Sequence, residues 1–116
     1  MSVAFVLSAR SLGQVPVETP DLRVTSLPIR IGRNPANGFQ LDHWWVSPFH
    51  ARIVRVKGKL CVLDLGSKEG VHIPLPGGTV RRLRPYEPAD LAEAGFQFLL
   101  GPIRLQLEVI DGQATA

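Results

Sequence analysis

From Ile103 to Val109 every second residue is apolar: Ile103, Leu105, Leu107 and Val109 alternate with Arg104, Gln106 and Glu108. Successive side chains of an extended strand point to opposite faces, so this period demands a strand with one face buried and the other wet. A helix, at 3.6 residues per turn, would scatter the same apolar groups around its circumference. Phe96, Phe98 and Leu100 repeat the pattern across Gly101 and Pro102, a pair that permits a reversal, so residues 96–110 read as a hairpin. A second hairpin joins residues 51–56 to 60–65 around Gly58, which can supply the positive φ of a tight turn. Shorter extended pieces at 4–7, 27–31, 39–41, 71–75 and 79–83 are each bounded by Gly, Pro, Asn or Asp. About nine strands are expected, and the fold class is all-β, a sandwich rather than a parallel α/β sheet.

One segment reads differently. Residues 88–95 open on Pro88, continue through the helix formers Leu91, Ala92, Glu93 and Ala94, and stop at Gly95, which predicts one or two helical turns. The 116 residues suit a single domain over 1–110, with 111–116 as a C-terminal tail or linker stub, and Met1 suggests a natural start. Residues 3–7 form too short an apolar run for a secretory core or a membrane span. Cys61 is the only cysteine, so no internal disulfide is expected; a buried thiol in a cytoplasmic protein is.

The charge balance is +3, and ten of the thirteen cations are arginine. A protein that binds nucleic acid through charge carries a larger excess or a basic stripe, and the one cluster here is Arg81, Arg82 and Arg84. Neither nucleic acid nor membrane is expected as a partner. His43, His50 and His72 lack the spacing and companion cysteines of a zinc site, so no metal and no cofactor are expected. Ser47 and His50 lie three apart, but no Gly-x-Ser-x-Gly elbow surrounds the serine and no third group completes a relay, which argues against catalysis.

The informative stretch holds Ile31-Gly32-Arg33, then Ser47-Pro48-Phe49-His50-Ala51, then Asp64-Leu65-Gly66-Ser67-Lys68-Glu69-Gly70, followed by Gly95-Phe96-Gln97-Phe98-Leu99-Leu100-Gly101. In that order and at those spacings the chain resembles a forkhead-associated (FHA) domain over about residues 3–110. The resemblance implies an antiparallel β-sandwich of about eleven strands, a non-catalytic module whose loops at one end bind phosphothreonine peptides. It implies that Arg33 and Ser47 contact the phosphate, that Lys68 reaches toward it, and that His50 holds the serine loop in place. Gly32 and Gly70 answer to backbone requirements. The residue types suit these roles: a guanidinium offers five donors in a rigid fork, and a hydroxyl donates without adding charge.

The departures are equally specific. Glu69 stands where the family has a peptide-binding asparagine, and a carboxylate accepts hydrogen bonds but donates none. At ~5 Å and an effective dielectric near 20 it would repel each unit of phosphate charge by roughly 3 kcal/mol, comparable to one charged hydrogen bond. Pro48 follows the serine and donates nothing, and Val71 and Pro74 replace a usual Thr and Asn. Trp44 and Trp45 precede the serine, one expected in the core and the other exposed. A second reading therefore stays open, in which the fold serves phosphate-independent protein association or self-association.

Overall fold

The computed structural model describes residues 3–111. Eleven strands appear among them: β1 (Val3–Ser11), β2 (Leu22–Val24), β3 (Ile29–Gly32), β4 (Phe39–Gln40), β5 (Ala51–Val56), β6 (Lys59–Asp64), β7 (His72–Pro74), β8 (Val80–Arg82), β9 (Ala89–Asp90), β10 (Gln97–Leu100) and β11 (Ile103–Asp111). Six form one sheet in the order β2-β1-β11-β10-β7-β8, and five form the other in the order β4-β3-β5-β6-β9. All pairs are antiparallel except β3 with β4, where Ile31 lies opposite Phe39. The expected tail over 111–116 lies outside the described residues apart from Asp111, the last residue of β11.

Both predicted hairpins form. Val56 pairs with Lys59 across Lys57 and Gly58, whose φ angles of 50° and 80° match the twist of the flanking strands. Leu100 pairs with Ile103 across Gly101 at φ 54°. The alternation in β11 holds as far as Glu108: Ile103, Leu105 and Leu107 are buried, and Arg104, Gln106 and Glu108 are exposed, whereas Val109, expected on the buried face, is exposed near the end of the strand and lies outside the core. Phe5, Leu7, Phe98, Leu100 and Leu105 from the larger sheet and Ile29, Ile31, Phe39, Ile53 and Val62 from the smaller share one core. The sheets therefore pack face to face, each contributing its alternate residues.

The helical reading of 88–95 holds for one turn and its Gly95 stop, and is corrected at Ala89 and Asp90. Ala89 and Asp90 pair with Val62 and Cys61 as an edge strand, and only Ala92–Ala94 turn as a short 3-10 helix, ended by Gly95 at φ 65°. Pairing to β6 overrides a local preference worth only tenths of a kcal/mol per residue. Strand β2 escapes sequence reading because its three residues carry no period, and its pairing with β1 bridges a loop of irregular chain. Cys61 is buried beside Asp90; burial first, and that carboxylate second, push its thiol pKa up and keep it protonated. No helix among the described residues is long and apolar enough to cross a membrane.

The two faces of β11 make a direct test of this packing. Leu107→Ala should cost about 2–5 kcal/mol through lost burial and the cavity left behind, and Gln106→Ala no more than about 0.5 kcal/mol. Urea denaturation followed by tryptophan fluorescence measures both; equal costs would contradict the buried and exposed assignment of the strand.

Candidate functional site

Three loops meet at one end of the sandwich: 33–38 after β3, 41–50 before β5, and 65–71 after β6. Backbone hydrogen bonds join them. Arg33 and Asn34 donate their N–H groups to Ser47 O at 3.1 Å and Pro48 O at 3.2 Å, and Leu65 N–H donates to His50 O at 3.0 Å. Asn37, buried in the first loop, donates its side-chain amide to Pro48 O at 2.7 Å and Asn34 O at 2.8 Å. Such close approach explains Gly32. Its φ is not positive, so no turn requires glycine there; a Cβ would instead collide with the carbonyl oxygen of Pro48 and the amide of Asn37.

His50 is 0 % exposed and ties the second loop to the third. The Ser47 backbone N–H donates to Nδ1 at 3.1 Å, which makes Nδ1 the unprotonated nitrogen, so Nε2 carries the hydrogen and donates it to Gly70 O at 2.9 Å. The ring is thus neutral in a defined tautomer. Ser47 Oγ in turn accepts the Lys68 backbone N–H at 3.1 Å. This uses the hydroxyl as an acceptor and leaves its hydrogen to be donated elsewhere.

The third loop is folded by residues that sequence reasoning passed over. Asp64, fully buried at the end of β6, accepts the backbone N–H of Ser67 at 3.2 Å and the Ser67 hydroxyl; Ser67 Oγ accepts Gly70 N–H at 2.9 Å. Gly70 sits at φ 82°, a left-handed conformation that glycine adopts without steric cost, and the Arg82 guanidinium lies where a Cβ would be. Arg82 also donates to Lys68 O at 3.4 Å. Tyr86 covers Gly66 in the same way and donates its hydroxyl to Leu65 O at 2.9 Å. The Asp-x-x-Ser spacing of Asp64 and Ser67 was a readable turn signal. Nothing local could have brought Arg82 or Tyr86 to this loop.

Of the residues singled out from sequence, Arg33, Ser47, Lys68 and Glu69 line one cavity of ≈ 180 Å³, together with Trp44, Trp45, Val46 and Pro48. Arg33 Nε donates to Val46 O at 3.0 Å, and its Nη groups make no hydrogen bond among the described residues. Gly32, His50 and Gly70 stand behind the cavity in the roles just described. The tryptophan pair divides as expected: Trp45 packs against the core, stacks on His43 with centroids 5.4 Å apart and covers Gly101, whereas Trp44 is 88 % exposed. Val71 is fully buried, so the position that is Thr in the family pattern here serves the core. Among the described residues no group of three or more His, Cys, Asp or Glu is arranged to hold a metal ion.

Burial lowers the His50 pKa below its ordinary 6.5, outweighing the Gly70 carbonyl and the nearby Asp64 and Glu69 charges that raise it. As pH falls through 6.5 the unfolded chain takes up this proton before the folded one. Stability contributed by neutral His50 is therefore full above pH 6.5 and declines below it, by at most about 1.4 kcal/mol per pH unit. Urea titrations from pH 7.5 to 5 should show this slope in the wild type and a shallower one in His50→Gln; equal slopes would mean that His50 is not held neutral.

The FHA domain family model matches residues 29–101, which include every loop side chain described above. No curated protein matches the chain. Among solved structures, the FHA domain of an Arabidopsis thaliana hypothetical protein superposes with a TM-score of 0.67 at 23% identity, covering 96% of this chain and 87% of that one. Mycobacterium tuberculosis EmbR in complex with a low affinity phosphopeptide gives 0.65 at 22% identity, covering 96% of this chain but only 25% of EmbR. The N-terminal FHA domain of S. cerevisiae Rad53p, in complex with a phosphothreonine peptide, gives 0.63 at 18% identity, covering 99% of this chain and 97% of that one. These likenesses extend over the whole sandwich, and the family match spans well over half the sequence: the chain belongs to the FHA domain family.

Proposed function

We propose that this protein is a non-catalytic interaction module that binds phosphothreonine-containing segments of other proteins, the phosphate being held by Arg33, Ser47 and Lys68. The observation that carries this reading is the convergence of those three residues on one cavity, with the Arg33 Nη groups and the Ser47 hydroxyl hydrogen unclaimed by protein partners. Charge-assisted bonds from a guanidinium to phosphate are about twice as strong as neutral ones, and Arg can make two in parallel. An ammonium on Lys68 adds a mobile point charge. The phosphopeptides bound by EmbR and Rad53p support the same class of ligand for this fold.

Glu69 tempers the grip. It is exposed on the same cavity and makes no ion pair among the described residues, so its charge faces an incoming phosphate uncompensated. Affinity is therefore set by a small difference between Arg33 and Lys68 on one side and Glu69 on the other.

Calorimetric titration with an alanine-flanked phosphothreonine peptide and its unphosphorylated counterpart tests the proposal. Binding should require the phosphate, and Arg33→Ala should weaken it by about 3 kcal/mol or more, over a hundredfold in Kd. Equal binding of the two peptides would refute phosphate recognition and favour phosphate-independent association. With the same alanine-flanked phosphothreonine peptide, Glu69→Asn should tighten binding by about tenfold, ~1.4 kcal/mol, by removing repulsion and restoring an amide donor. No change would place Glu69 outside the reach of the phosphate.

A further inference from the structure

Two groups on the cavity have no work in holding a phosphate or in holding the fold. Trp44 is 88 % exposed, while its neighbour Trp45 supplies the packing against the core. An indole left in water on a loop that is otherwise fixed by hydrogen bonds is an unused apolar and π-rich surface. Glu69 is the second: its carboxylate accepts no hydrogen bond and no ion pair among the described residues, although Arg33 and Lys68 line the same cavity. Arg82 braces this loop through Lys68 O and does not line the cavity.

One chemical group satisfies both. A guanidinium stacks its flat face on an indole while its edge donates two parallel hydrogen bonds to a carboxylate, a combination that an ammonium cannot reproduce. Charge balance points the same way. A phosphate carrying nearly two negative charges, with Glu69 beside it, exceeds Arg33 and Lys68 by about one negative charge, which a single cationic side chain of the ligand neutralises. With a volume of ≈ 180 Å³ the cavity is small, and an extended peptide advances roughly 3.3–3.6 Å per residue, so that side chain must stand close to the phosphothreonine in sequence.

We infer that the ligand is a phosphothreonine peptide bearing an arginine within about two residues of the phosphothreonine, its guanidinium held between the Trp44 indole and the Glu69 carboxylate. The inference rests on the phosphopeptide reading above and specifies the peptide it takes. Glu69 then exchanges general phosphate affinity for selectivity: it disfavours any phosphopeptide that lacks the cation and favours the one that brings it.

The test varies the peptide first, so that it does not depend on any protein variant. Alanine-flanked phosphothreonine peptides, each with Arg, Lys, Ala or Glu at one of the two positions on either side, are titrated by fluorescence anisotropy at fixed ionic strength. Arginine at one of these positions should tighten binding by roughly tenfold over alanine, with a smaller gain for lysine and a loss for glutamate. Glu69→Gln and Trp44→Ala, both at exposed side chains, should each remove most of the arginine gain, and Glu69→Lys should turn the preference toward glutamate. Phosphate-dependent binding with equal affinity for the arginine and alanine peptides, or an arginine preference that survives both variants, would overturn this inference and leave the phosphopeptide reading standing. Absence of phosphate-dependent binding to every peptide would overturn both.

Discussion

The neutral imidazole of His50, buried between the Ser47 N–H and the Gly70 carbonyl, is the contact on which the binding end of the molecule depends. Its backbone is fixed at the same time: its N–H donates to Ile31 O at 2.9 Å and its carbonyl accepts from Leu65 at 3.0 Å. One residue thus registers the end of β3, the serine loop and the loop after β6 against one another. The cost of burying a ring with two polar nitrogens is offset because both find partners, and the ring tolerates neither a charge nor the other tautomer in that place. Ser47 inherits its position from this arrangement and passes it on to Lys68 through its hydroxyl oxygen.

Behind these loops the sandwich supplies rigidity and the loops supply chemistry. Apolar side chains from both sheets close the core up to Ile31, Val46, Ala51 and Val71, so the polar groups begin where the strands end. The loops contain little regular structure, yet their backbone groups are hydrogen-bonded to one another and to buried Asn37, His50, Asp64 and Ser67. Preorganisation of this kind lowers the ordering cost of binding, and it holds Arg33, Ser47 and Lys68, from three different loops, on one cavity. Of the three charged side chains on the cavity, Arg33 and Lys68 follow the family pattern and Glu69 departs from it, and on Glu69 the proposed ligand selectivity turns.

Much of this was legible in the residues. The two-residue period of 103–109, the Gly58 and Gly101 reversals and the absence of any long helical period were enough for an all-β sandwich, because strand alternation is a local property that needs no knowledge of the partner. The same holds for Gly70, whose place in a turn is a statement about its own φ. Where local signals were weak or pointed elsewhere, reading failed: 88–95 carries helix formers, but Ala89 and Asp90 are held by hydrogen bonds to β6. Arg82 looked like one member of a basic cluster and turned out to rest against Gly70, since only pairing of β8 with β7 carries it there.

The sequence by itself determined the class of fold, the positions of the tight reversals and the chemistry of the side chains that line the cavity, because period, φ preference and side-chain chemistry belong to each residue before any folding. Tertiary structure alone decided that Gly32 is needed for close approach rather than for a turn, that His50 is neutral with its hydrogen on Nε2, and that Trp44 rather than Trp45 faces solvent beside Glu69. Each of those depends on which distant atom arrives next to the residue: the Pro48 carbonyl, the Gly70 carbonyl, and Gly101, which takes the ring of Trp45 against it. Distances between residues far apart in the chain are set by the packing of two sheets, and no local pattern encodes them.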